Sequence, residues 1–266
     1  MPRIAVFLVA ALAAACASEP PRPSPAAVSQ LAPTGKLRAA INFGNPVLAS
    51  KDPATGEPRG VSIDLSRELA KRLGVPLEIV PYAAAGRVVE AAKSGAWDVG
   101  YVAIDPMRAV DMIQSPAYVV IEGSYLVPAE SPIRSNAEVD RDGIRIAVGK
   151  GSAYDLFLTR EIKRAMLVRA PTSPEVVSTM IRENLEVAAG VRQQLEADAK
   201  RAAGVRMLPG RFMVINQAMA VPKGRDAGAL YVRQFIEEMK ATGFVAQALV
   251  RHGVEGAAVA PPDDTR

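Results

Sequence analysis

Between Ser94 and Pro128 the chain reads SGAWDVGYVAIDPMRAVDMIQSPAYVVIEGSYLVP, and this stretch limits the fold more than any other. Trp97 to Ile104 is apolar and rich in β-formers, the pattern of a strand buried on both faces. Gly95 stands where a preceding helix would close in the left-handed conformation. Asp105-Pro106 follows the strand directly and predicts a short helix, with Asp as N-cap and Pro at the first helical position. Arg108 then falls in the first turn, where a cation opposes the helix dipole and calls for a nearby anion. Two anions are open: the Asp105 carboxylate, or a bound carboxylate at the strand's C-terminal end held by Arg108 and free helix N–H groups.

The flanking chain alternates strand and helix. Lys36 to Asn42 reads as a strand, with a loop over Phe43 to Pro46 at its C-terminal end. Ser62 to Leu73 is an amphipathic helix, with Leu65, Leu69 and Leu73 one turn apart and Gly74 and Pro76 ending it. Leu77 to Tyr82 is a strand and Gly86 to Ser94 a helix. A second block follows the same rhythm: strand Ile144 to Val148, helix Ala153 to Arg164, strand Ala165 to Val168, helix from Ser173 to Arg182, strand Leu185 to Ala189 and helix Val191 to Ala203. Met213 to Val221 is extended, and helices Asp226 to Thr242 and Phe244 to His252 close the chain. Alternation of this kind implies βαβ units and a mainly parallel sheet, hence an α/β fold. Two lobes accommodate it, with Glu122 to Leu126 carrying the chain out and Asn216 to Val221 bringing it back.

The order of strand, loop, Arg108, then Ser115-Pro116-Ala117-Tyr118 and an extended exit resembles the family 3 extracellular solute-binding proteins of amino-acid ABC transporters. The resemblance covers Pro33 to Gly256 and lies in the order and spacing of loose motifs. It implies the bilobed periplasmic binding-protein fold, two α/β lobes joined by a two-strand hinge: lobe 1 over 35–121 and 219–256, lobe 2 with the hinge strands over 122–218. It further implies that Arg108 binds a ligand carboxylate, and that the loop at Gly151 and Ser152 donates backbone N–H groups to it from the second lobe. The implied partners are a small-molecule carboxylate and a membrane ABC permease. No cofactor or metal and no catalysis are implied, and the protein is expected as a monomer. An enzyme on the same fold, such as a cyclohexadienyl dehydratase, and a sensory binding subunit remain the alternatives.

Read on their own residues, the candidate positions divide. Gly149-Lys150-Gly151-Ser152 fails as a phosphate loop, since Gly151 stands where Ser or Thr must follow Lys. Ser152 with Asp155 is a plausible capping pair. Phe43, Tyr82 and Tyr101 lie near strand ends, where they line a cleft or pack in the core. Departures from the family pattern concern charge. Ala103 replaces a small hydroxyl residue before the arginine, Asn42 replaces an acid ending the first strand, and Ala188-Ala189-Gly190-Val191-Arg192 carries no acid where an Asp is usual. Both usual partners of an α-ammonium are therefore missing, and Arg192 adds either a second cation in the cleft or a solvated helix start. A desolvated ammonium without an anion is costly, so these departures point to an anion without an amino group.

Composition sets the remaining bounds. A formal charge of +4, scattered along 266 residues, gives no footprint for nucleic acid. With one Cys and one His, neither an internal disulfide nor a cysteine- or histidine-rich metal site is available. Arg3 followed by apolar Ile4 to Ala15 reads as an export signal too short to span a bilayer. Residues 1–15 are thus a signal peptide, and a periplasmic or other extracytoplasmic location follows. Cys16 is placed for lipidation, which would anchor the protein to the membrane, or cleavage occurs unmodified near Ala15 or Ala17. Residues 16–34, rich in Pro, Ala and Ser, are expected to be an unstructured tether, and 257–266 a disordered tail.

Overall fold

A computed structural model describes residues 22–263. In chain order the first lobe opens with α1 (Pro25–Leu31), β1 (Leu37–Asn42), the hairpin β2 (Ser50–Lys51) and β3 (Pro58–Arg59), then α2 (Val61–Leu73), β4 (Leu77–Tyr82), α3 (Ala85–Glu90) and β5 (Val99–Ala103). The long strand β6 (Met112–Pro128) crosses to the second lobe. That lobe holds β7 (Arg145–Gly149), α4 (Ala153–Glu161), β8 (Met166–Ala170), α5 (Val176–Arg182), β9 (Val187–Val191), α6 (Arg192–Arg201) and β10 (Val205–Met207). Strand β11 (Met213–Pro222) returns to lobe 1, which α7 (Asp226–Ala241), α8 (Phe244–Arg251) and β12 (Ala258–Val259) complete.

The main sheet runs β4-β1-β5-β11-β6-β9-β7-β8. Its ends are parallel: β1 pairs with β4 and β5, and β7 with β8 and β9. Its middle is antiparallel, β6 and β11 pairing with each other and each with one lobe's strand. The two hinge strands are thus continuous with both lobes. Because the parallel strands of each lobe end toward the other, the carboxyl ends of β1, β5, β7 and β9 face one cleft, the position where open α/β sheets bind ligands.

One apolar core runs through both lobes and the hinge strands, with two smaller clusters beside it. Helix α2 buries Ile63, Leu65, Leu69 and Leu73, and Gly74 ends it at φ 70° with its N–H returned to the Ala70 and Lys71 carbonyls. Trp97 is fully buried and donates its indole N–H to the Val88 carbonyl at 3.0 Å. Asp98 beside it is also fully buried, but held by Arg38 at 2.8 Å and Arg225 at 2.7 Å, so a charge inside lobe 1 is matched rather than stranded.

Several expectations are corrected. The tether is helical over Pro25–Leu31: Ser24 Oγ caps the Ala27 N–H at 3.1 Å, and Ala27 and Leu31 are buried. Gln30 fastens this helix to α7, its Oε1 accepting from the Gly228 N–H at 2.8 Å and its carbonyl accepting from Arg225 at 2.9 Å. A helix this short forms only through such tertiary contacts, which local composition does not report. The expected disordered tail contributes β12, paired with β6 at Val119 and Val120, and its Pro261 carbonyl accepts from Lys240. The helix expected after Asp105-Pro106 is a single 3-10 turn, Arg108–Val110. Asp105 Oδ1 accepts from the Met107 N–H at 2.9 Å, an Asx turn that takes the place of a helix cap. Residues 1–21, with the expected signal segment and Cys16, lie outside the described residues. Among those described, no helix is long and apolar enough to cross a membrane.

Candidate functional site

The cleft is built from chain that leaves the carboxyl ends of the strands. Lobe 1 supplies Asn42 at the end of β1, Gly44 and Asn45 after it, Ala85 after β4, and Ala103 and Arg108 at and after β5. Lobe 2 supplies Ser152 to Tyr154 at the start of α4, Ser173, and Val191 at the end of β9. The hinge strand β11 closes the back with Ile215 and Gln217. The room between them is about 30 Å³, on the order of one water. Among the described residues, no Asp, Glu or His lines it.

Arg108 dominates this space. Only 1% of its surface is exposed. Nη1 donates to the Ala103 carbonyl at 2.9 Å, and Nη2 donates across the cleft to the Gly151 carbonyl at 3.0 Å. Nε, also buried, has no partner. Burial pushes the guanidinium down to about 10, with the nearby Asp105 charge opposing, so the group stays cationic at neutral pH. The Asp105 carboxylate does not bond it. Asp105 Oδ2 instead accepts from Arg160 of α4 at 3.0 Å, a second bridge between the lobes. Backbone contact tightens the closure. Gly151 has φ 70°, and a Cβ there would stand 2.9 Å from Gly86 Cα in lobe 1.

The loop before α4 has little to give a ligand through its main chain. The Lys150 N–H donates to the Ala170 carbonyl at 2.9 Å, Gly151 N–H to Asp155 Oδ2 at 2.9 Å, and Ser152 N–H to the Gly149 carbonyl at 3.0 Å. Gly151 therefore enters the cleft as an acceptor, not as the expected donor. Ser152 is the N-cap, its Oγ accepting from the Asp155 N–H at 3.0 Å. Asp155 turns its carboxylate to Gly151 and Arg169 rather than into the cleft. Ala153 and Tyr154, which line the same space, open α4, and the N–H groups of a first helical turn have no carbonyl one turn earlier in the helix.

The structure brings Asn42, Ala103, Arg108 and Ser152 together, with Gly151 joined to them through Arg108. It does not bring the others in. Tyr101 lies in the lobe-1 core, accepting from Ser66 Oγ at 2.9 Å and meeting Tyr118 edge-on. Tyr82 packs beside the Trp97 cluster. Phe43 and Arg192 line a separate outer groove of about 780 Å³ with α6 and the His252–Gly256 segment. There Arg192 donates to Glu122 Oε2 at 2.7 Å and to the Gly210 carbonyl at 2.7 Å, so it is neither a cleft cation nor a free helix start. His252 ends α8 with Nε2 2.8 Å from Asp64 Oδ2.

The profile described as bacterial extracellular solute-binding proteins, family 3, matches residues 37–254. The chain belongs to this family. The solute receptor for L-cysteine of Neisseria gonorrhoeae superposes with a TM-score of 0.75 at 23% identity, over 86% of this chain and 94% of that one. An ancestral amino-acid-binding protein described as a precursor of cyclohexadienyl dehydratase gives 0.71 at 21% identity, over 84% of this chain and 98% of that one. A histidine kinase sensor domain gives 0.73 at 17% identity, over 85% and 98%. No curated protein sequence matches the chain. Identities this low establish the shared bilobed fold, while one fold serves receptor, enzyme precursor and sensor alike.

For this family 3 solute-binding protein, four polar cleft residues were not singled out as site residues from the sequence. Asn45, Tyr154, Ser173 and Gln217 are brought in by loop folding and by the return of β11. Asn45 could have been suspected, since a polar residue between Gly44 and Pro46 in a strand-end loop is typical of a turn that aims a side chain.

Proposed function

We propose that this chain is an extracytoplasmic receptor that closes its two lobes on a small carboxylate and delivers it to a membrane ABC permease. The observation that carries the reading is the Arg108 guanidinium, 1% exposed between the lobes with Nε unpartnered and no carboxylate bonded to it. A buried cation lacking an anion is costly, and a carboxylate supplied by the ligand relieves that cost through charge-assisted bonds. The first-turn N–H groups of α4 would complete the anion's shell from lobe 2. Entry requires the lobes to part, since about 30 Å³ holds no organic acid.

The lining supports the preference read from Asn42 and Val191. With no acid facing the space, Asp105 held by Arg160 and Asp155 by Arg169, an α-ammonium would be buried without a counter-charge. The same lack of Asp, Glu and His supports binding over acid catalysis, which needs a proton-transferring group within reach of the substrate. Calorimetry with succinate against aspartate, and 2-oxoglutarate against glutamate, tests the reading at one pH and salt. The expected outcome is tighter binding of the non-amino member, by about tenfold or more. Equal or tighter binding of the amino acids would make this a conventional amino-acid receptor.

A further inference from the structure

Two polar atoms among the cleft-lining residues are buried and unpartnered, and they ask for opposite things. Arg108 Nε is a donor and needs an acceptor; Asn45 Oδ1 is an acceptor and needs a donor. Asn45 is only 9% exposed, and its position is fixed by backbone. Its N–H donates to the Asn42 carbonyl at 3.3 Å, and its carbonyl accepts from the Leu48 and Ala49 N–H groups at 3.1 and 3.2 Å. The preceding Gly44 packs so closely that a Cβ there would lie 2.3 Å from the Ala83 carbonyl oxygen, which leaves the loop no freedom to withdraw the amide.

A plain carboxylate satisfies Arg108 and leaves Asn45 Oδ1 without a donor. An amino acid offers a donor, but it is an ammonium, and no acid lines the space to receive its charge. The ligand that meets both demands carries a carboxylate and a neutral donor close to it. The geometry points to a small 2-hydroxy acid, its carboxylate on Arg108 and its hydroxyl donating to Asn45 Oδ1, with Asn45 as the residue that sets this specificity. This rests on the proposed carboxylate receptor and names the ligand class of the same site. Glycolate and lactate, the shortest members of the class, isolate the contribution of the hydroxyl. A site built to bond a hydroxyl discriminates strongly against analogues that lack it, because its own buried group is then left unpaired.

The test is calorimetry of the mature protein with lactate, propionate and alanine, and with glycolate, acetate and glycine. In the wild type the hydroxy acid is expected to bind at least about tenfold more tightly than its deoxy partner. In Asn45→Leu that ratio is expected to collapse toward one. Asn45→Asp, nearly isosteric, keeps the test open if the leucine variant misfolds; it should shift preference toward the amino acid by giving the ammonium its missing anion. Equal binding of lactate and propionate, with alanine weaker, overturns the hydroxy-acid assignment and leaves the carboxylate receptor standing. A hydroxyl preference that survives both Asn45 variants overturns the role of Asn45. Alanine binding as tightly as lactate overturns the hydroxy-acid assignment and makes this a conventional amino-acid receptor; none of the six binding overturns the hydroxy-acid assignment, and the succinate and 2-oxoglutarate titrations then judge the carboxylate receptor separately.

Discussion

Arg108 and Arg192 each follow a wholly buried strand of their own lobe, Arg108 in the turn after β5 and Arg192 at the start of α6 directly after β9. Their surroundings differ completely. Arg192 meets Glu122, an acid carried in by hinge strand β6 and shared with Arg211 at 2.6 Å, and these two arginines hold the Glu122 carboxyl below its ordinary range. Arg108 meets two carbonyls, and the one acid near it is turned to Arg160. One arginine is neutralised by the fold and braces the hinge. The other is left for something else to neutralise. The difference teaches that position relative to a strand end does not make a binding arginine; the fate of the nearest carboxylate does.

The largest expected effect breaks that contrast at its stronger end. Arg108→Ala removes the buried cation and should weaken carboxylate binding by about 3 kcal/mol or more, at least a hundredfold. Because the guanidinium is incompletely compensated, the melting temperature without ligand should change little. A large drop by calorimetric scan would assign Arg108 to structure instead.

Arg160→Ala comes next. It breaks the bridge that keeps Asp105 away from Arg108 and joins the lobes, an ion pair with Asp105 buried and Arg160 partly exposed. Solvent screening limits its worth to about 1 kcal/mol, so roughly fivefold weaker binding is expected, seen as a faster dissociation rate in stopped-flow measurements. Freed Asp105 can then turn to Arg108, which sharpens the comparison by making the two arginines alike. An unchanged dissociation rate would show that the bridge does not hold the lobes together.

Arg192→Ala should alter carboxylate affinity less than about threefold, since its pair with Glu122 lies outside the cleft and is partly exposed. A loss comparable with that of Arg108→Ala would place Arg192 in the site after all.

The smallest effect concerns pH. Among the described residues no Asp, Glu or His lines the cleft, and burial pushes Arg108 down only to about 10, so affinity should vary less than about twofold from pH 6 to 8. Above about 10 the guanidinium loses its proton and binding should fall. Stability has the opposite sign there. The pKa is lower folded than unfolded, so the unfolded chain binds more protons between the two values and this group favours folding as pH rises. A steep affinity change near neutrality would overturn this expectation.

Much of the architecture was legible from pattern. The expected strand Leu77 to Tyr82 coincides with β4, and the expected helices over Ser62 to Leu73 and Asp226 to Thr242 lie within a residue of α2 and α7 at each end. Apolar periodicity and glycine stops are local signals, and long periodic elements state them repeatedly. The exit and return strands were legible too, because buried extended runs such as Glu122 to Leu126 and Asn216 to Val221 admit few other placements. Arg108 could be singled out because a cation in the first turn of an expected helix opposes the helix dipole, an anomaly that local sequence shows even though the helix proved to be a single 3-10 turn.

What only the tertiary structure decided is where charges and termini find partners far along the chain. Glu122 reaches Arg192 across 70 residues, Arg160 takes Asp105 across 55, and Arg225 meets Gln30 across 195. Helix α1 and strand β12 exist because α7 and β6 offer them surfaces, not because their own residues demand those shapes. Asn45 has a buried, unpartnered oxygen only because the folded loop brings it to the space that Arg108 also lines. Local propensity is a property of neighbours in sequence. Ion pairing and burial depend on neighbours in space, and those are set only once both lobes and the hinge have formed.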